Sequence, residues 1–206
     1  MSLVEHIHWL GHDSFRIDGP VTIYVDPWKL PASTPRADLI LITHDHFDHC
    51  SPDDVKKISK ADTVVVTIAA AAGKLKGDVR VVKPGDKLTV KGIPIEAVPA
   101  YNVNKEFHPK KAGHVGFIFT VEGQRIYHAG DTDFIPEMNG FQVDIALLPV
   151  SGTYVMTADE AVQAAQAINP KTAIPMHYGE IVGDKADAEH FRELYKGETI
   201  ILPLEK

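Results

Sequence analysis

The seven residues from Thr43 to His49 constrain this chain more than any other segment. They contain three histidines and two aspartates, and they directly follow the apolar run Leu39–Ile42. Imidazole nitrogens and carboxylate oxygens are the ligands that zinc, manganese and iron accept from proteins. A buried strand that ends in such a loop delivers its ligands at the carboxyl edge of a sheet, where open α/β sheets carry their sites. The segment therefore predicts an α/β fold with a metal site at a sheet edge.

Length and charge restrict the classes of protein that fit. A chain of 206 residues suits one domain spanning residues 1–206. The formal net charge of −7 argues against a nucleic-acid partner, because a phosphate backbone favours a basic surface. The single cysteine, Cys50, cannot form an internal disulfide and is typical of a reducing compartment. With no signal-peptide pattern and no apolar run near the ~20 residues of a membrane span, we expect a cytoplasmic protein with no membrane partner.

Short strands dominate the first half of the chain, and helices are interspersed through both halves. Ser51 before Pro52, and Thr157 three residues before Glu160, are typical helix starts. This order favours two sheets packed face to face with helices outside, over one doubly wound sheet. Predicted strands cover residues 4–9, 14–17, 21–25, 38–42, 63–67, 79–82, 87–90, 93–98, 114–121, 125–127, 143–148, 172–174 and 199–202, and predicted helices cover 51–60, 68–75, 157–168 and 186–194.

Spacing within residues 43–49 predicts two metal positions. His44 and His46 point the same way on an extended segment, so they can bind one ion. Asp48 and His49 lie just beyond, where the chain turns towards the next helix and can reach a second ion. Two ions about 3.5–4 Å apart can share an activated water. The alternative is a surface loop with weak, accidental metal affinity.

Two later strand ends supply further candidate ligands. Asp131 follows Gly130 at the end of a predicted strand, and its carboxylate could bridge the two ions. His177 ends another strand and would be a terminal ligand. Either residue alone is weak evidence, because a strand-end aspartate is often a turn residue and an isolated histidine is often structural. In the company of residues 43–49, the ligand role is favoured for both.

These segments resemble those of a known superfamily. The sequence THDHFDH at 43–49 resembles the HxHxDH motif of the metallo-β-lactamase superfamily, and the later GDT and PMH segments match its aspartate and final histidine. The turn at 11–14, Asp26-Pro27 and the YHAGDT segment at 127–132 further resemble the branch of metal-dependent hydrolases related to L-ascorbate-6-phosphate lactonase. The resemblance covers roughly residues 6 to 178. It implies a four-layer αβ/βα sandwich with a dinuclear site at one edge of the sheets.

The sequence leaves open which residue is the third histidine ligand of the first metal position. The resemblance calls for a histidine between residues 49 and 131, and Asn102 stands where relatives often carry it. We favour His108, which lies in the long loop 99–113 and is free to turn inward. His114, at the start of a predicted strand, is an alternative, as is Asn102 itself or a water.

Other residues are candidates for supporting roles. His12 could contact substrate or the water at the metal, or be a structural histidine of its turn. Asp26 and His128 are expected to orient ligands through hydrogen bonds. Tyr178 could donate its phenol to a developing oxyanion. Three lysines flank His108 and could attract an anionic substrate or be solvated: Lys105, Lys110 and Lys111.

The resemblance implies a metal-dependent hydrolase. A dinuclear site with a bridging hydroxide would cleave an ester, lactone or phosphodiester bond of a small molecule. That substrate could carry an anionic group. Asp48 would be a ligand and also the catalytic residue that holds the proton of the water. We expect two divalent ions, with Zn²⁺ favoured and Mn²⁺, Fe²⁺ or Ni²⁺ as alternatives. A nuclease or phosphodiesterase acting on nucleic acid and a non-catalytic metal-binding protein are the competing hypotheses, and the oligomeric state is open.

Overall fold

The first sheet gathers the strands that precede residue 82. The computed structural model describes residues 3–205, and in that range the sheet has six strands in chain order. The pairs β1–β2 and β2–β3 are antiparallel, and all neighbouring strands from β3 to β6 run parallel. The carboxyl ends of β3, β4 and β5 therefore meet at one edge. The strands are β1 (Ile7–Gly11), β2 (Ser14–Ile17), β3 (Ile23–Val25), β4 (Leu39–Ile42), β5 (Val64–Thr67) and β6 (Asp78–Val81).

The second sheet has seven strands in the spatial order β13-β12-β11-β10-β9-β8-β7. The pairs among β7, β8, β9 and β10 are antiparallel, while β10, β11, β12 and β13 run parallel. Parallel strands again bring several carboxyl ends to the same edge. These strands are β7 (Lys87–Val90), β8 (Ile93–Pro99), β9 (Val115–Val121), β10 (Gln124–His128), β11 (Ile145–Pro149), β12 (Thr172–Met176) and β13 (Glu198–Thr199).

The helices begin where the capping residues predict. The Ser51 hydroxyl accepts a hydrogen bond from the amide of Asp54, and Thr157 and Glu160 form a reciprocal capping box. The third and fourth helices contact β11 and β12, and the second contacts β6. The helices are α1 (Pro52–Ile58), α2 (Ala69–Ala72), α3 (Ala158–Ile168) and α4 (Lys185–Leu194), and short 3-10 helices cover Leu3–His6, Lys110–Ala112 and Pro136–Gly140.

One hydrophobic cluster joins the two sheets. Strands β4 and β11 are buried at every position, as their continuous apolar runs predict for parallel strands covered on both faces. The expected mixed α/β fold with two sheets is thus confirmed. Within residues 3–205, none of the helices is both long and apolar enough to pass through a membrane.

Three predicted elements differ from the structure. Residues 3–6 form a 3-10 helix, so the predicted strand at 4–9 begins only at Ile7. The predicted helix at 68–75 is limited to Ala69–Ala72: Ile68 provides no capping side chain at its start, and Gly73 is its C-cap. The predicted strand at 199–202 pairs only at Glu198–Thr199. Beyond it the chain leaves β12, and Leu204 forms a bridge with Trp9 of the other sheet.

Candidate metal centre

Four residues from three loops form what we call the first group: His44, His46, His108 and Asp131. Their candidate ligand atoms all lie within 4.8 Å of one another. Nε2 of His108 lies 3.3 Å from Nδ1 of His46 and 3.1 Å from Oδ2 of Asp131. Nε2 of His44 lies 3.9 Å from the same carboxylate oxygen. His46 is the exposed member and the other three are buried. The arrangement surrounds a space that one metal ion can fill.

A second group, His12, Asp13, His49 and His177, satisfies the same distance limit. All four residues have no solvent exposure. Oδ2 of Asp13 lies 3.5 Å from Nε2 of His49 and 3.9 Å from Nε2 of His177. A buried constellation of three imidazoles and a carboxylate is suited to a divalent cation.

The carboxylate of Asp131 lies between the two groups. Its Oδ1 is 3.3 Å from Nε2 of both His49 and His177, whereas its Oδ2 faces His44 and His108. One carboxylate therefore offers one oxygen to each group, which is the geometry of a bridging ligand.

The backbone before Asp131 explains how this carboxylate reaches the centre. Gly130 has a φ of 61°, and a Cβ at this position would lie 3.0 Å from the side chain of Thr43. Only glycine adopts this conformation without strain and permits so close an approach. The loop after β10 can thus contact the loop after β4, although the two belong to different sheets.

Hydrogen bonds to Nδ1 orient three of the buried imidazoles. Oδ2 of Asp26 lies 2.8 Å from Nδ1 of His49, the Ser151 hydroxyl lies 2.8 Å from Nδ1 of His177, and Oγ1 of Thr43 lies 3.0 Å from Nδ1 of His44. Asp26 also accepts hydrogen bonds from the amide and hydroxyl of Thr43. These contacts direct each Nε2 inward, as outer partners do in metal sites.

Asn102 and His128 support the centre without entering either group. Oδ1 of Asn102 accepts a hydrogen bond from the amide of His108 and lies 3.2 Å from its Nδ1. The residue that stands in place of the expected histidine thus positions another histidine. Nε2 of His128 lies 2.9 Å from the carbonyl oxygen of Asp13, and its Nδ1 accepts from the amide of Gly130. His128 therefore links the two turns that carry Asp13 and Asp131.

Strained backbone occurs at the same place. His12, Asp26 and His177 have φ values of 53°, 46° and 60°. Left-handed conformations cost free energy in residues other than glycine, and such strained residues cluster at functional sites. The amide of His177 donates to the carbonyl of His12 over 3.1 Å, so a backbone hydrogen bond holds two of these residues together.

Unpartnered polar atoms test whether metal ions fit here. Within the described part of the chain, Nε2 of His44, His49 and His177 and both carboxylate oxygens of Asp13 are buried without a hydrogen-bond partner. Oδ1 of Asp131 is likewise unpartnered. Buried polar atoms are costly unless something satisfies them. Since these atoms converge on two common spaces, two divalent cations fit the donor set.

Charges within the second group shift several pKa values. Burial lowers the pKa of His177, but the carboxylates of Asp131 and Asp13 more than offset this and raise it to about 9. Burial likewise opposes ionisation of His49, yet Asp131 and Asp26 raise its pKa well above the usual range. Conversely, burial raises the pKa of Asp131, while the cationic His49 and His177 hold it well below its usual range. The imidazoles of His49 and His177 in the second group thus face the Asp131 carboxylate of the first group before any ion binds.

Histidines of the first group behave differently. Burial and the neighbouring His49 place the pKa of His44 well below its usual value. Burial, followed by the proximity of His108, also lowers the pKa of His46. Neutral imidazoles are the form that coordinates a metal, so the first group is prepared for an ion near neutral pH.

Asp48 lies outside both groups in this structure. Its Oδ2 is 3.2 Å from Nε2 of His12 and 3.8 Å from Nε2 of His49. Asp13 takes the place in the second group for which the sequence analysis had chosen Asp48. Asp13 and Ser151 are functional candidates that the sequence did not predict. The position of Asp13 beside His12 in a turn after β1 was the only local signal for it.

Two further candidates from the sequence, His114 and Tyr178, belong to neither group. His114 stacks its ring on His44, with centroids 4.8 Å apart and planes at 27°, but it belongs to neither group. Tyr178 packs on Trp9 at 4.7 Å and is absent from the residues that line the neighbouring cavity. That the Tyr178 phenol faces a developing oxyanion stays a prediction, and the ring itself is held in a buried aromatic pair.

Comparison with known proteins places these features in context. The family described as "Beta-lactamase superfamily domain" matches residues 6–177. A UPF0173 metal-dependent hydrolase of Thermoplasma acidophilum is 35% identical, over 96% of this chain and 94% of the relative. One from Pyrococcus abyssi is 34% identical, over 95% of both chains. The crystal structure of a protein named as a metal-dependent hydrolase from Parabacteroides distasonis has a TM-score of 0.85 and 36% identity, and covers 97% of this chain and 93% of that one. The matched range, residues 6–177, spans the positions of both groups.

Proposed function

The chain belongs to the metallo-β-lactamase superfamily and is a metal-dependent hydrolase, and on this premise we propose that its two groups bind two divalent metal ions. The proposed reaction is hydrolysis of an ester, lactone or phosphodiester bond in a small molecule. The observation that carries this proposal is the position of Asp131, whose two oxygens face histidine nitrogens of different groups at 3.1 and 3.3 Å.

The proposed ligands follow from the unpartnered atoms. His44, His46 and His108 would hold the first ion together with Asp131. Asp13, His49 and His177 would hold the second ion, again with Asp131, and the unpartnered Nδ1 of His12 lies in the same group. Imidazole-rich coordination favours Zn²⁺, with Mn²⁺, Fe²⁺ and Ni²⁺ as alternatives. When bound, the ions would lower the pKa of a water and polarise the scissile bond.

Asp48 is the proposed proton acceptor. It lines a cavity together with His46, His108 and Asp131 of the first group, and its carboxylate lies in hydrogen-bond contact with the buried His12. Burial raises the pKa of Asp48, but the hydrogen bond from His12 and the nearby His49 lower it below its usual value. The carboxylate is therefore ionised near neutral pH and can take a proton from an attacking water. His12 holds that carboxylate in place.

Metal content and turnover, measured together, test this proposal. We expect about two ions per chain in the wild type and fewer in Asp131→Ala, with turnover of a generic ester or phosphodiester lost in the variant. Asp159→Ala is the matched control, because Asp159 lies on the exposed face of α3 and contacts His190. Near-zero metal in wild type that zinc and manganese fail to restore would refute the proposal. So would full metal retention in Asp131→Ala.

A further inference from the structure

A cavity of about 470 Å³ lies directly beside the first group, and Asp131 of that group lines it. His46, Asp48, His108 and Asp131 form the part of its lining that belongs to the proposed catalytic centre. A substrate in this cavity would therefore contact the residues that act on the scissile bond. Its remaining lining determines which molecules fit.

Large apolar side chains form much of that remaining lining. Phe47, Phe107 and Ile181 line the cavity from three different loops and are 69%, 53% and 42% exposed. Tyr154 comes from a fourth segment and packs edge to face on Phe107, with ring centroids 4.6 Å apart. Exposed apolar side chains that converge on one concave site mark a ligand surface, since scattered ones would not share a cavity.

Positive charge, by contrast, is scarce in the cavity. Lys74 is the one cationic side chain found in the lining across residues 3–205, and its Nζ lies 2.9 Å from Oδ2 of Asp45. The lining also includes the carboxylates of Asp45 and Asp48. An anionic substrate group outside the metal positions would thus meet a paired lysine and negative charge.

The lysines near His108 do not change this balance. Nζ of Lys105 lies 2.7 Å from Oδ1 of the buried Asp133, and Nζ of Lys110 lies 2.9 Å from Oε1 of Glu137. Both lysines, and Lys111 with them, are outside the cavity lining. The expectation that they attract an anionic substrate therefore finds no support in their contacts.

We propose that the cavity binds a neutral carboxylic ester, either open-chain or a lactone, whose alkyl or aryl group packs on Phe47, Phe107 and Ile181. This inference rests on the proposed function, because it assigns the substrate class of the same site. The reaction consumes one water and breaks the bond between the acyl carbon and the ester oxygen. The water oxygen joins the acyl carbon and a proton goes to the leaving oxygen. An open-chain ester gives a carboxylic acid and an alcohol, and a lactone gives one hydroxy acid.

A series of p-nitrophenyl esters from acetate to octanoate tests the apolar part of the proposal with zinc-loaded protein. A fully buried methylene contributes about fourfold in kcat/KM, so we expect a rise of at least about tenfold between acetate and hexanoate. The mono-p-nitrophenyl ester of glutaric acid has a similar length but carries a carboxylate. We expect its kcat/KM, and that of bis(p-nitrophenyl) phosphate, to be at least about tenfold below that of the hexanoate ester.

Two variants of Phe107 test whether its side chain causes the dependence of kcat/KM on acyl length. Phe107→Ala should flatten the dependence of kcat/KM on acyl length, whereas Phe107→Leu should keep most of it, because leucine retains apolar surface. Val81→Ala is the matched control, since Val81 is 56% exposed on β6 and is not part of the cavity lining. It should leave the whole series unchanged.

Each failure has a distinct meaning. A flat ester series, or a preference for the glutarate ester or the phosphodiester, would overturn the substrate class and leave the hydrolase assignment intact. No turnover of any of these compounds, nor of a simple neutral lactone, by protein that holds both metals would instead contradict the proposed function. In that case, calorimetry measures how tightly the cavity binds hexananilide and glutaranilic acid. Tighter binding of the neutral anilide supports the inference, and tighter binding of the acid overturns it.

Discussion

Oδ2 of Asp13 lies 3.5 Å from Nε2 of His49, and within residues 3–205 neither atom has a hydrogen-bond partner. Both side chains have no solvent exposure. A carboxylate in such surroundings needs a cation or a proton, and burial accordingly raises the pKa of Asp13 well above its usual value. We infer that a metal ion is the partner that this pair lacks.

Exchange of Asp13 should therefore remove one ion. We expect Asp13→Asn to bind about one ion per chain and Asp48→Asn to keep about two, because Asp48 lies outside both groups. Elemental analysis of dialysed protein measures both. Loss of one ion from Asp48→Asn with full retention in Asp13→Asn would reverse the assignment.

Thermal unfolding of the metal-free proteins supplies the control for folding. Asp13→Asn removes a buried group whose ionised form is unfavourable, so at pH 8 its metal-free melting temperature should equal or exceed that of wild type. A lower melting temperature would mean that the lost metal reflects a damaged fold.

The two histidines that compete for the first ion can be separated by substitution. His108 belongs to the first group, whereas His114 only stacks on His44. We expect His108→Ala to lose one ion and His114→Ala to retain both. With Co²⁺ in place of the native metal, visible absorption should change much more in the first variant. The opposite pattern would assign His114 as the ligand.

Metal binding should release protons at neutral pH. The pKa of His177 in the metal-free protein is about 9, so the imidazole is cationic at pH 7.5, while coordination requires its neutral form. Apparent affinity at the second group should rise with pH by about tenfold per unit for each released proton, and the contribution of His177 should level off above pH 9. Zinc titrations in two buffers of different ionisation enthalpy measure the release. Heats that do not depend on the buffer would contradict it.

Ser151 is expected to tune metal affinity without touching the metal. Its hydroxyl lies 2.8 Å from Nδ1 of His177, and loss of such an outer partner weakens metal binding by about 10–100-fold. Ser151→Ala should therefore raise the zinc dissociation constant of one site. Ser59→Ala is the control, because the Ser59 hydroxyl donates only to the carbonyl of Val55 at the end of α1. Equal affinities in both variants would exclude the orienting role.

Local sequence patterns predicted much of the fold. The apolar run Leu39–Ile42 is a buried parallel strand, and the capping pair Thr157 and Glu160 begins α3 as expected. Short-range periodicity and capping depend on neighbours in the chain, which the sequence displays directly. Predictions are weak where the neighbouring residues provide no capping or periodic pattern. An example is the alanine-rich run 68–75, which is helical only at Ala69–Ala72.

The sequence by itself determined the superfamily, the two-sheet fold and a ligand-rich loop with a later aspartate and histidine. Tertiary structure alone decided that Asp13 rather than Asp48 enters the second group, that Asn102 positions His108, and that Ser151 contacts His177. It also showed that Lys105 and Lys110, near His108, are paired with carboxylates. These outcomes depend on contacts between loops of different strands, and the packing of two sheets, rather than spacing along the chain, brings those loops together.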